Sequence, residues 1–325
     1  MGHFRELSHD EQVDAITSLA SHMCKKYFSE IESIELVNFD FNATFKVTAF
    51  GSQYAFRINV NSSRTLDNVH AEITFVNHLL DNSDIRLPHP VATPNGDFVV
   101  SATLDSREIP LNAVMYTWLP GEEVGESPTE IQLFQMGSAM ALMHMAASGF
   151  TLPTGMQLPR LDDFLWGTED FLFSLSSELS EYQKDLFAKA KNEILEIVSR
   201  LYLRDSQRVI HADLHGWNVM WHDENIAVFD FDDSGWGIPI QDLATALYYL
   251  DTEEQNQALL NGYSSVRNLP HYTELELSGL YLQRRLLLLN YLYETSNHEH
   301  KELLPEYLEK TVQKAESFLS AATTP

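Results

Sequence analysis

Residues 211–218 read His-Ala-Asp-Leu-His-Gly-Trp-Asn, and residues 230–233 read Asp-Phe-Asp-Asp. No other part of the chain concentrates so many polar, chemistry-bearing side chains. The surroundings are β-rich: the runs Arg208–His211, Val219–His222 and Ile226–Phe231 predict short strands. One strand leads in, a loop carries Asp213 and Asn218, and a strand pair carries Asp230 back to the same end. Asp213 and Asn218 are only five positions apart, so one loop holds both.

Upstream of this island the pattern is that of a small sheet with helices. Ser8, Asp10 and Glu11 precede Val13, Ile16, Leu19, Ala20 and Met23 at helical spacing, which predicts a capped helix. Ile34–Phe39, Ala43–Phe50 and Gln53–Val60 predict strands, with Gly51-Ser52 as a hairpin turn. A helix is predicted over Leu66–Leu80, then strands over Asp97–Leu104 and Leu111–Trp118. Leu119-Pro120-Gly121 breaks the chain. Beyond it the periodicity is helical: Met136 to Ala147, Leu186 to Leu201, Ile240 to Leu250, Leu275–Tyr293 and Leu303–Leu319, with a helical insert expected over Leu152–Leu203. The fold class is α+β. A small antiparallel sheet lobe with helices is expected over residues 1–118, and a larger, mainly helical lobe over 119–325.

Composition narrows the function classes. The 325 residues are 44% hydrophobic and 11% aromatic, as in ordinary globular proteins. Lys and Arg number 21 against 47 Asp and Glu, a net charge of −26. Such a chain repels phosphate backbones and anionic lipid, so no nucleic acid and no membrane is expected as partner. A single cysteine, Cys24, excludes an internal disulfide and a thiolate zinc site. The polar start, Met1 to Asp14, lacks a signal-peptide core, and Leu277–Tyr293 contains Arg284 and Arg285. The expectation is a soluble, cytoplasmic protein; nothing in the sequence specifies an oligomeric state.

The polar island suits phosphoryl transfer. That chemistry has a loose transition state, so the protein positions groups and neutralises charge. It needs a carboxylate to orient a hydroxyl and hard oxygen ligands for Mg²⁺. Asp213 suits the first task, and Asn218 and Asp230 the second. A polar turn in which Asp and Asn cap local backbone is the bland alternative for any one of them.

The ordered set His-x-Asp-x4-Asn followed by Asp-Phe-Asp resembles the aminoglycoside phosphotransferase and choline-kinase family, which shares the two-lobed protein-kinase fold. The resemblance spans roughly residues 30 to 295. Tyr54-Ala-Phe-Arg57-Ile is similar to the family's third strand, Glu72 to its helix partner, Met115–Gly121 to the hinge, Gly137–His144 to the helix opening the large lobe, and Gln241-Asp242-Leu243-Ala244 to the segment after the metal Asp. It implies a kinase that uses ATP, or GTP, with Mg²⁺ to phosphorylate a hydroxyl of a small molecule. Asp213 would be catalytic, Asn218 and Asp230 metal ligands, and Arg57 with Glu72 the phosphate clamp. Backbone at Thr117 and Leu119 would receive the base. It also implies that Asp242 braces the catalytic loop.

Two departures stand out. Arg57 occupies a position where many relatives carry Lys; a guanidinium keeps the phosphate contact with different geometry. The nucleotide turn, Asn38–Phe45, has no glycine, so Asn42 and Thr44 become the candidate phosphate contacts. Strand alternation puts Arg57 on one face with Ala55 and Asn59, opposite Phe56, Ile58 and Val60. Glu72 borders the buried stripe of its helix, between Val69 and Val76.

Several residues have two readings. His211 reads as a packed histidine. His215 approaches phosphate or substrate, or lies on loop surface. Asp232 and Asp233 hold a second metal or a cationic substrate, or form a solvated acidic turn. Arg284 lies on the apolar stripe Leu277, Tyr281, Leu288 and Tyr291, so it requires a carboxylate or a substrate anion nearby. Trp236 is either a floor for the substrate or packing. Competing functions are a Ser/Thr protein kinase of the same fold, a metal-dependent phosphohydrolase built on the His and Asp residues, and a binding pseudoenzyme.

Overall fold

Alternation builds the first sheet. Strands β1 (Ser33–Phe39), β2 (Asn42–Ala49) and β3 (Ser52–Asn59) run antiparallel in a computed structural model that describes residue 4 and residues 7–39, 41–62, 64–104, 110–295 and 297–323. Asp40, inside the expected nucleotide turn, lies outside the described residues. The β2–β3 turn is Phe50-Gly51, one residue earlier than Gly51-Ser52. Both residues have positive φ, 52° and 71°, as a two-residue hairpin turn requires. Ala43, Phe45, Phe56 and Ile58 face the core from one side of the hairpin. Helix α1 (His9–Cys24) is capped by Ser8 and Glu11 in reciprocal bonds and buries Ile16, Leu19 and Met23 against that core.

Helix α2 (Leu66–Asn82) follows, then β4 (Pro90–Val91), β5 (Val99–Ala102) and β6 (Leu111–Thr117). The sheet order is β1-β2-β3-β6-β4, with β5 also on β6. Two compact units result. The first comprises Met1–Glu122, Thr151–Gln157 and Met220–Asp232; the second comprises Glu123–Phe150, Leu158–Val219 and Asp233–Pro325.

The chain passes into the second unit within β7 (Glu122–Glu123). Helix α3 (Glu130–Ala146), helix α4 (Glu181–Arg204) and β8 (Arg208–Ile210) precede the polar loop. The insert is helical only from Glu181; residues 151–179 form turns and bends, because Gly155 and Gly167 and the capping carboxylates of Asp163 and Asp170 favour local turns. Strands β9 (Val219–His222) and β10 (Asn225–Val228) form the hairpin after the loop. From Met220 this hairpin belongs to the first unit: the Val228 N–H donates to the Arg86 carbonyl at 3.0 Å, and Phe231 meets Phe75 edge-on. Strand β11 (Gly235–Gly237) pairs with β8, followed by α5 (Pro239–Tyr248), α6 (Glu253–Ser264), α7 (Glu274–Glu294), α8 (His298–Glu302) and α9 (Leu304–Ala322). Among the described residues, no helix is long and apolar enough to cross a membrane.

Candidate functional site

In the second unit, β8 delivers the loop that begins at His211. The turn is sharp: Ala212 has φ 68°, a region that costs a non-glycine residue about 1–3 kcal/mol. Asp242, on the first turn of α5, holds it. Its carboxylate accepts the His211 N–H at 3.1 Å and the Ala212 N–H at 2.7 Å. His144 of α3 donates to the same carboxylate at 2.8 Å, and both side chains are fully buried. Burial works against the Asp242 charge, yet His144, His211 and the Ala212 N–H outweigh it and hold the carboxyl below its usual range. His211 is buried, and its Nδ1 accepts the Asp213 N–H at 3.3 Å, so it packs and shapes the loop.

Asp213 projects from this braced turn. The Arg284 guanidinium of α7 donates to Oδ1, and His215 Nε2 lies 3.4 Å from Oδ2. Burial raises the Asp213 carboxyl, but Arg284, His215 and His211 overcome it and hold it at about 2. The group is therefore a fixed anion, able to orient a hydroxyl and too weak a base to remove its proton early. His215 Nδ1 accepts the Trp217 N–H, so the ring proton sits on Nε2, facing Asp213. Asn218 is buried; its amide NH₂ donates to the Asp213 carbonyl at 2.8 Å and faces Oδ2 at 3.3 Å. This leaves Asn218 Oδ1 as a hard oxygen for a cation. Arg284 also donates to the Tyr249 hydroxyl at 2.7 Å, a partner that carried no signal in the sequence.

In the first unit, Arg57 and Glu72 meet at 2.5 Å with both side chains buried. Asp230 and Asp232 lie 3.4 and 3.7 Å from the same guanidinium. Burial disfavours the Arg57 charge, but Glu72 and Asp232 prevail and keep it charged. The Arg57 Nε–H is buried and lacks a hydrogen-bond partner among the described residues. Asp230 has φ 62° and a carboxylate that is 41% exposed, so it is turned outward while the next residue, Phe231, is buried. Thr44 stands opposite Arg57, and Asn42 opposite Asn59, on one polar face of the hairpin.

Asn42 is engaged by Asp232: its NH₂ donates to that carboxylate at 3.1 Å, and its carbonyl accepts from Asn59 at 3.0 Å. Asn59 and the Arg64 guanidinium also bond Asp232, the latter at its backbone carbonyl. A loop without glycine is thus held by side chains, and Asp232 is the pin. Asn59 shares a face with Arg57, so alternation alone marked it; Arg64 and Tyr116, whose hydroxyl bonds Glu72 at 2.9 Å, were not marked. The Thr117 N–H is taken by the His89 carbonyl, whereas Leu119 has no backbone hydrogen bond among the described residues. Trp236 packs: its ring stacks on Phe150, and its backbone bonds Pro159 and Leu161. Asp233 is half-buried and adds to the charge that keeps Arg284 protonated. No group of three or more His, Cys, Asp or Glu side chains among the described residues is arranged to hold a metal by itself.

The comparisons agree with this chemistry. Over residues 34–277 the chain matches the model of the phosphotransferase enzyme family. It is 26% identical over 245 residues to the amicoumacin kinase of Bacillus subtilis (strain 168), covering 75% of this chain and 69% of that one. Its fold is similar to that of the amicoumacin kinase hAmiN in complex with AMP-PNP, Ca²⁺ and Ami, with TM-score 0.75, 20% identity, and 94% and 96% of the two chains covered. It is also similar to that of a microcompartment-associated aminopropanol kinase, with TM-score 0.76, 23% identity, and coverage of 94% and 98%. The chain, with the protein-kinase-like α+β fold its sequence led us to expect, belongs to the phosphotransferase enzyme family.

Proposed function

We propose that this phosphotransferase moves the γ-phosphoryl group of ATP, or GTP, to a hydroxyl of a small amine-bearing molecule. The observation that carries the reading is Asp213: a partly exposed carboxylate paired with Arg284 and flanked by Asn218, on a loop whose backbone is braced by Asp242. The acceptor oxygen bonds to the γ-phosphorus as the bond to the bridging oxygen breaks. The nucleoside diphosphate leaves with the bridging oxygen. Asp213 orients the O–H and takes its proton late, once the acceptor oxygen carries the phosphoryl group, and passes it to solvent.

The chain's own residues fit the nucleotide and its metal. Arg57 has a buried Nε–H without a hydrogen-bond partner among the described residues, suited to a phosphate oxygen. Asn218 offers a free amide oxygen and Asp230 an exposed carboxylate, the donor types Mg²⁺ prefers. When bound, the metal neutralises phosphate charge. Leu119, with open backbone groups, suits the base edge. The bias toward an amine rests on the net charge of −26 and on relatives named for amicoumacin and aminopropanol. A phosphohydrolase on the His and Asp residues is less well supported, since His222 is half-exposed against Asp223 at 3.3 Å.

The test is nucleotide consumption against a panel of amino alcohols, aminoglycosides and other aminated antibiotics, each paired with its deaminated analogue. Phosphorylation of an amine-bearing member, and not of its analogue, is expected. Turnover of deaminated alcohols alone would remove the amine from the reading. Phosphorylation of basic peptides alone would replace it with a protein kinase. Phosphate release from monoesters without nucleotide would mark a hydrolase.

A further inference from the structure

Helix α7 sends adjacent arginines to different tasks. Arg285 donates to the Thr311 hydroxyl, the Tyr248 hydroxyl and the Tyr307 carbonyl, and stacks over the Tyr307 ring at 4.1 Å, which ties α7 to α9. Arg284 reaches a carboxylate 71 positions away in sequence, that of Asp213. It is 8% exposed, and the Tyr249 hydroxyl takes a second bond from the same nitrogen.

The lone pairs of Asp213 can be assigned. A carboxylate offers about four acceptor sites. Arg284 occupies one on Oδ1, while Asn218 and His215 border Oδ2 at 3.3 and 3.4 Å. One site on Oδ1 is left, beside the guanidinium. We propose that Arg284 is a positioning residue: it locks the Asp213 carboxylate so that this remaining lone pair meets the acceptor hydroxyl, and Tyr249 holds Arg284 in register. The inference rests on the phosphotransfer reading above.

A receptor for an anion on the acceptor is the rival role for Arg284. Its charge is already paired with Asp213, its Nη2 is bonded to Asp213 and Tyr249, and its Nε–H is buried, so an incoming anion would compete with Asp213 for a guanidinium that is already neutralised. A purely structural cation is the other rival. Arg285 supplies the control for that, since its bonds are to α9 and to Tyr248.

The experiment compares the full chain with Arg284→Met, Arg284→Lys, Tyr249→Phe and Arg285→Lys, using ATP and the best acceptor from the panel. Steady-state kcat and KM for both substrates are read beside Tm and nucleotide affinity. A carboxylate freed to rotate misplaces the hydroxyl, so Arg284→Met should lose about a hundredfold in kcat with both KM values within about threefold. Arg284→Lys restores charge without the fork and should recover about tenfold of that loss. Tyr249→Phe should lose about threefold to tenfold in kcat, since one bond to the guanidinium goes. Arg285→Lys should lower Tm with kcat within about twofold of the parent.

A raised acceptor KM at unchanged kcat in Arg284→Met would overturn the inference in favour of anion recognition. Parallel losses of Tm, nucleotide affinity and kcat across all the arginine variants would overturn it in favour of a structural cation. If Arg284→Met does not fold, Arg284→Lys and Tyr249→Phe carry the same split. Absence of acceptor-dependent nucleotide consumption by the parent would bring down the phosphotransfer reading and this inference together. Parent turnover with full kcat in Arg284→Met would bring down this inference alone.

Discussion

The Arg57 guanidinium and the Glu72 carboxylate lie 2.5 Å apart, both almost wholly buried, and the Tyr116 hydroxyl bonds the other carboxylate oxygen at 2.9 Å. A cation so held points one way. In Glu72→Gln the attraction is lost and Arg57 is drawn to Asp230 and Asp232, now 3.4 and 3.7 Å away. The KM for nucleotide should rise about tenfold, with the acceptor KM little changed. Glu72→Ala, which removes the nearest of the Arg57 carboxylates and leaves the buried Tyr116 hydroxyl without its acceptor, should cost about 1–3 kcal/mol of stability by urea denaturation. Full nucleotide affinity in Glu72→Gln would show that Arg57 does not touch phosphate.

Asp213 and Asp230 should separate kinetically. Asp213→Asn keeps the hydrogen bond acceptor but loses the anion. Turnover should fall by about a hundredfold or more, with Mg-ATP still raising Tm. Asp230→Ala removes a candidate metal ligand, so the Tm rise with Mg-ATP should itself shrink. Equal behaviour of the two variants would contradict the division of labour.

Local chemistry made much of this legible in the sequence. The alternation that set Arg57 against Phe56 and Ile58 is seen in their partners, apolar core for Phe56 and Ile58 and Glu72 for Arg57, although all three are buried; the Leu66–Leu80 stripe is α2 with Glu72 inside it. Short elements escaped: β4, β7 and β11 are two or three residues long, below the length at which a period of two can be read. Helix α6 escaped because its first half, Glu-Glu-Gln-Asn-Gln, is polar on every side. The apolar stripe showed that Arg284 needs an anion, but not that the anion is Asp213. Likewise Asn42 reads as a phosphate contact until Asp232, 190 positions away, is seen to hold it. Partners fixed by tertiary packing leave no spacing signal.

Gly137 shows how tightly the second unit is built. A methyl group there would sit 2.0 Å from the Leu259 carbonyl oxygen and 2.7 Å from the Tyr263 nitrogen, both backbone atoms of α6. Gly262 repeats the contact in reverse, 1.8 Å from the Phe134 carbonyl oxygen. Neither backbone yields as a side chain tip would. Gly137→Ala should therefore destabilise by about 1–3 kcal/mol or more, measured by urea unfolding. An unchanged midpoint would mean that α3 and α6 separate freely.

The His144–Asp242 pair should write itself into the pH dependence of stability. Burial lowers the His144 pKa, and the bond to Asp242 restores only part of it; the Arg208 and Arg267 charges lower it further. The folded ring is therefore neutral, with Nε2–H donating to Asp242 and Nδ1 accepting from the Tyr263 hydroxyl at 2.9 Å. In the unfolded chain the same histidine titrates near about 6.5. Below that pH the unfolded state binds the extra proton, so the stabilisation is complete above about 6.5 and is lost as the pH falls toward the lowered folded value. Asp242, whose folded pKa is also depressed, acts in a separate window: its contribution is present above about pH 4 and is lost below it. His144→Gln keeps an amide donor toward Asp242 and removes the proton site. Its Tm should fall less than that of the parent between pH 7 and 5, while both proteins lose stability alike below about pH 4. Equal slopes between pH 7 and 5 would assign that window to another group, and the brace on Ala212 would then owe nothing to a neutral His144.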